Sequence, residues 1–208
     1  MRSEAYGQAR KLSLVDRFGV WLSAVAVRRR VVFNDKRVAD FGCGYDARLA
    51  RTLTPVAKEL LLVDVQLATD LAEYPNIQAV EGEIETVLPV LASKSLDIVL
   101  CLSVLEHLQQ PQQALTAFHR ILAPGGTALI NVPSWRGKRW LELSAFKLGL
   151  SPSLEMDDHK RYYDPRDLWP LLVDAGFRPS EISCKRHKFG LNTFAACRVP
   201  VGTLESTR

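Results

Sequence analysis

Long apolar runs are missing from this sequence, and none approaches the ~20 residues a helix needs to cross a bilayer. The longest, residues 18–27, runs into Arg28-Arg29-Arg30 with no small-residue cleavage site after it, so it reads as part of a soluble amphipathic helix and not as a leader. A second reading makes it an interfacial helix whose arginines meet anionic lipid; Asp16 and the mixed face argue against that. Cysteine is scarce. Cys43, Cys101, Cys184 and Cys197 show no Cys-x-x-Cys spacing, which speaks against a structural zinc and for a reducing, cytoplasmic setting. Cys184 and Cys197 flank a candidate hairpin centred on Gly190-Leu191 and are placed to face each other, with free thiols the expected state. Charge of one sign is also lacking: 27 basic against 23 acidic residues leave +4, too little to argue for nucleic acid without a concentrated patch. Repeats and low-complexity segments are absent.

What is present is a regular alternation. Short apolar runs at 37–41, 59–64, 77–80, 96–102 and 127–132 predict strands, separated by helical patterns at 46–53, 66–73 and 112–122. The run at 96–102 is apolar almost throughout, as a strand buried on both faces should be. Strands alternating with helices pair in parallel through right-handed crossovers, so the expected class is α/β with a doubly wound sheet. A further helix is predicted at 165–175, then a hairpin of strands 182–187 and 193–199. A chain of 208 residues suits one domain. Residues 1–36 form a helical segment and 134–164 an insertion rich in basic and aromatic residues; both are expected to cover the substrate site. His119 is expected at the surface, and Asp97 and the turn Pro124-Gly125-Gly126 in structural roles.

The chemistry starts at Asp40-Phe41-Gly42-Cys43-Gly44. Two glycines without Cβ atoms let the chain turn tightly between strand and helix and let a ligand approach the backbone. Asp64, at the tip of the next strand, is placed to accept hydrogen bonds from ribose hydroxyls. Residues 42–47 also fit the dehydrogenase pattern Gly-x-Gly-x-x-Ala, so the turn alone leaves an NAD(P)-dependent oxidoreductase open. Asp40 separates the two. A carboxylate two residues before the first glycine repels a pyrophosphate and attracts a cationic ligand such as S-adenosylmethionine, which carries an ammonium and a sulfonium.

Five motifs in order resemble those of the class I S-adenosylmethionine-dependent methyltransferases: Val-Ala-Asp-Phe-Gly-Cys-Gly at 38–44, Leu-Val-Asp-Val at 62–65, Glu-Gly-Glu-Ile at 81–84, the run 96–108 ending in Glu106-His107-Leu108, and Leu-Ala-Pro-Gly-Gly at 122–126. The resemblance implies a Rossmann-like methyltransferase fold: a mostly parallel seven-stranded sheet with a C-terminal antiparallel hairpin and one reversed strand. It implies cofactor-binding roles for Gly42 and Gly44 along the methionine moiety, Asp40 toward its amino group and Asp64 on the ribose. Val65 would pack on the adenine, Glu83 and Ile84 would contact its edge, and Leu102 and Ser103 would sit near the amino acid end. The departure is Asp46, where a third glycine is common, so the turn there is expected to differ.

Catalysis needs a nucleophile held in line with the methyl group, and for a hydroxyl acceptor a base contributes on the order of 10²–10⁴-fold. His107 and His159 are the candidates. The Glu-x-x-Glu-His metal set of some O-methyltransferases is broken here by Ser103, so no metal is expected. The expected function is methyl transfer to a small molecule, at a hydroxyl oxygen. RNA or protein acceptors are a second reading, and a non-catalytic cofactor-binding relative a third. The acceptor and the oligomeric state stay open.

Overall fold

The computed structural model describes residues 5–7, 14–138 and 161–201. An N-terminal helix α1 (Leu14–Arg28) leads to strand β1 (Arg37–Phe41), a short helix α2 (Arg48–Arg51), β2 (Glu59–Asp64), β3 (Ile77–Glu81), helix α3 (Ile84–Val87), β4 (Leu96–Leu102), α4 (Pro111–Ile121) and β5 (Leu122–Pro133). Helix α5 (Pro165–Asp174) and the hairpin strands β6 (Ile182–His187) and β7 (Asn192–Arg198) complete the described chain. The seven strands form one sheet in the order β3-β2-β1-β4-β5-β7-β6. Only β7 is reversed, pairing antiparallel with both β5 and β6. The expected doubly wound sheet with a terminal antiparallel hairpin is what forms.

Strand alternation divides the core in two. Ala39, Phe41, Val99, Cys101 and Ile130 point into one apolar cluster with α4 and α5, where Phe41 stacks on Phe118 at 5.3 Å. Val38, Leu60, Leu62, Leu100 and Leu129 point into the other, with Val27 of α1 and Ala50 of α2. At the amino ends, Arg37 forks onto Asp97 with bonds of 3.0 and 3.1 Å, and the Arg37 backbone amide adds a third at 2.9 Å. These bonds hold the Asp97 carboxyl below the usual carboxylate range despite partial burial. Asp97 therefore ties β1 to β4, the structural role expected of it.

Four local expectations change. Pro124-Gly125-Gly126 lies within β5 as an irregularity, the register with β4 shifting between Leu96 and Ile98. An α2 helix was expected from residue 46 but starts at Arg48, because Ala47 takes the left-handed φ of 45°. Asp46, standing where relatives often carry a third glycine, instead pairs with Arg48 at 3.1 Å. His119 is only half-exposed: it meets Phe177 edge-on at 5.0 Å and lies under Gly176, and this partial burial lowers its pKa. Cys184 and Cys197 are free thiols on neighbouring strands, but not opposite each other, since Cys184 faces Ala195 and Cys197 faces Ile182.

Candidate active site

All the proposed cofactor residues lie at or just past the carboxyl ends of adjacent parallel strands, β1 through β4, where a doubly wound sheet opens its crevice. Gly42 (φ 72°) and Gly44 (φ 78°) both adopt the left-handed region. A Cβ on Gly42 would run into the Val104 side chain, so only glycine lets β1 end against the turn after β4. Gly42 donates to the Val63 carbonyl at 2.7 Å, and Gly44 donates to Asp64 Oδ2 at 2.8 Å. Asp64 Oδ1 accepts from the Val65 amide at 2.8 Å. One carboxylate thus fixes both the glycine turn and its own loop.

The third and fourth motifs close on the same edge. Gly82 donates to the Asp64 carbonyl at 2.9 Å, which sets Glu83 and Ile84 beside Val65, all three half-exposed. Ser103 holds φ 61°, and its amide donates to the Asn131 carbonyl at 2.7 Å, so Leu102 and Ser103 turn out of β4 at the sheet edge. Tyr6 also reaches the site: its carbonyl accepts from the Tyr45 amide at 3.0 Å.

Asp40 is the electrostatic centre. Its side chain is buried between Leu62 and Leu100 on the neighbouring strands, and burial, helped by Asp64, pushes its pKa up to about 7. A buried carboxyl beside a second carboxylate is stabilised by a bound cation and opposed by a bound anion. The glycine cradle and this charge fit S-adenosylmethionine, whose ammonium supplies that cation.

A second cluster adjoins it past β4. Glu106 is fully buried in the turn Leu105–His107, and His107 is half-exposed at the end of that turn. Lys188, at the tip of the β6–β7 hairpin, lies near enough to Glu106 for attraction between them; burial pushes its pKa down to about 8 against that attraction. The Tyr163 hydroxyl is buried within the fields of Glu106 and Cys101, and its pKa is raised by that burial. Sequence reasoning named His107 but missed Lys188 and Tyr163, because nothing local reveals that β6 runs parallel to β5 and so carries the hairpin tip that follows it to the carboxyl edge of the sheet. His159 lies outside the described residues, as does most of the 134–164 insertion. No three His, Cys, Asp or Glu side chains among the described residues are grouped to hold a metal.

A family model described as a methyltransferase domain matches residues 13–182. The chain belongs to this methyltransferase family. It carries the class I, S-adenosylmethionine-dependent architecture, and S-adenosylmethionine is the cofactor that goes with it. A ubiquinone biosynthesis O-methyltransferase of Psychrobacter arcticus is 26% identical, over 71% of this chain and 61% of the relative. A probable S-adenosylmethionine-dependent methyltransferase of Mycolicibacterium smegmatis is 29% identical, over 74% of this chain and 56% of the relative. The methyltransferase chain thus spans only about 61% and 56% of these curated relatives. Among solved structures, the [4+2]-cyclase SpnF superposes with a TM-score of 0.69 at 15% identity, over 97% of this chain and 88% of the other. At that identity the likeness speaks for the fold alone.

Proposed function

We propose that this protein transfers a methyl group from S-adenosylmethionine to a hydroxyl oxygen of a small molecule. The observation that carries the reading is the adjacency of two unlike clusters: a glycine cradle with buried Asp40 on one side, and the polar group Glu106, His107, Tyr163 and Lys188 on the other. The names of the ubiquinone-pathway relatives support an oxygen acceptor.

When bound, the cofactor supplies a methyl group already activated on sulfur. Asp40 would balance its ammonium, Asp64 would hold its ribose, and Gly42 and Gly44 would let it lie on the backbone. Val65, Glu83 and Ile84 would frame the adenine, with Leu102 and Ser103 at the amino acid end. Lys188 would draw the acceptor oxygen toward the methyl group and steady its developing negative charge, and His107 would take the hydroxyl proton. His159 is a second candidate base. The described parts of the N-terminal segment and of the insertion would close the site against water, within a single domain.

The test is transfer of labelled methyl to a panel of phenols, catechols and aliphatic alcohols; no transfer to any of them, with cofactor still bound, sinks the proposal. Asp64→Ala is expected to weaken S-adenosylhomocysteine binding about 100-fold, since each hydrogen bond to a charged group is worth roughly 1.5–3 kcal/mol. Unchanged affinity by calorimetry would overturn the site. Lys188→Met is expected to lower kcat by roughly 10²-fold while cofactor affinity holds. A rate equal to that of the parent protein would remove Lys188 from the chemistry.

A further inference from the structure

Helix α1 is turned inside out. Small residues face the sheet, with Ser23 and Val27 buried, while Phe18 and Trp21 are 51% and 56% exposed and stack on each other at 5.7 Å. Val25 continues the same outward face by helical spacing, and Arg17 and Arg28 flank it, both exposed. An ordinary covering helix buries its aromatic stripe and shows its charges. This one leaves its aromatic pair outside together with its charges.

The hairpin tip repeats the pattern. Phe189 is 80% exposed and sits at φ 58°, a left-handed conformation that disfavours a bulky side chain. Glycine or asparagine would form this turn at lower cost. The two features border one junction, because Lys188 Nζ lies 3.8 Å from where a Cβ on Gly19 would stand and His187 interacts with the Leu22 backbone. Charge follows the aromatics. Apart from Asp16 in the first turn of α1, no Asp or Glu occurs in residues 14–34 or 182–201, which hold Arg17, Arg28, Arg29, Arg30, Lys185 and Arg186, all exposed. Since the whole chain is only +4, its remaining residues are close to neutral or acidic and the positive charge is concentrated here.

We propose that the outward face of α1 and the β6–β7 tip form a docking surface for an anionic lipid bilayer, with Phe18, Trp21 and Phe189 entering the headgroup region and the basic side chains meeting lipid phosphates and carboxylates. Protruding aromatic groups with a basic rim fit an interface that is apolar below and negatively charged above. A nucleic acid would call instead for basic side chains lining a groove. The helix lies along the surface and does not cross it, in keeping with the lack of any described helix long and apolar enough to span. The hairpin tip that would touch lipid is the one that carries Lys188 inward, so docking would set the acceptor side of the crevice at the bilayer surface.

The experiment is co-sedimentation of the full chain with phosphatidylcholine vesicles with and without about 30% phosphatidylserine. The protein is expected to pellet with the anionic vesicles only, and Trp21 fluorescence to shift to the blue. Phe18→Ala/Trp21→Ala/Phe189→Asn, which keeps the turn, is expected to stay in the supernatant with a melting temperature no lower than that of wild type. Arg17→Gln alone is expected to weaken partitioning roughly fivefold, the loss of one charge near the surface. Wild-type protein left in the supernatant with anionic vesicles overturns the proposal. So does a triple variant that pellets like wild type, which would assign binding to another segment. A concentration-dependent dimer abolished by the same three changes would make the face a contact between copies, and tighter binding to RNA than to vesicles would make it a nucleic-acid surface. Either result also overturns it. None of these readouts depends on methyl transfer.

Discussion

Gly42→Ala is expected to cost about 3 kcal/mol of stability and to abolish measurable cofactor binding. A left-handed φ of 72° alone penalises an L side chain by roughly 1–2 kcal/mol. The new methyl group would also collide with Val104, which is buried, and overpacking of that kind typically costs another 1–3 kcal/mol. Retreat of the backbone is blocked by the 2.7 Å bond from the Gly42 amide to Val63, so relief would have to come by breaking strand pairing at the site itself. Chemical denaturation measures the first effect and calorimetry with S-adenosylhomocysteine the second. The double variant Gly42→Ala/Val104→Ala should regain the steric share but not the backbone share, a coupling of about 1 kcal/mol or more between residues in contact. A single variant as stable as the parent would show that the turn is not held as described.

The affinity for S-adenosylhomocysteine is expected to fall about tenfold per pH unit below pH 7 and to level off above it. Buried Asp40 titrates near pH 7, against a normal 3.8, because burial and then Asp64 disfavour its ionised form. Below that value the site holds a neutral carboxyl, and binding an ammonium requires it to release a proton, so each unit of acidity costs a factor of ten. Stability without ligand runs the other way. A folded state with the higher pKa binds more protons than the unfolded chain between pH 3.8 and about 7, so Asp40 contributes stability that is complete below 3.8 and lost as the pH rises through 7. Asp40→Asn should flatten the binding curve and raise the melting temperature at pH 8. A binding curve in the variant as steep as in the parent would place the titrating group elsewhere. Cys43 and Cys101 do not interfere, since burial and the nearby carboxylates push both thiols well above physiological pH.

Much of this was legible in the residues. The ends of β1, β2 and β4 are where apolar periodicity places them, since strands buried on both faces must be continuous runs bounded by charge or glycine. The place of the proposed cofactor crevice follows from the same pattern, its residues lying at or just past the ends of β1 to β4. Two kinds of information were not local. The left-handed φ of Ala47 shortens α2, yet alanine gives no sign of it. The polar cluster proposed to meet the acceptor is assembled from the turn after β4, Tyr163 and the hairpin tip, which only the sheet order brings together. His119 reads as a polar residue on a helix, and only the packing of α4 against Phe177 shows it half-buried.

The placement of β7 bears on how the protein is made. It is the last of the described strands in sequence but stands inside the sheet, between β5 and β6. During synthesis the entire β5 edge, including the fully buried Leu129, Ile130 and Val132, has no partner on that side until residues 192–198 have left the ribosome. A long apolar edge of that kind invites pairing with other chains. Truncated chains released from the ribosome that end before residue 192 should therefore be the ones that chaperones hold and proteases clear, while released chains that reach Arg198 close the sheet and escape both.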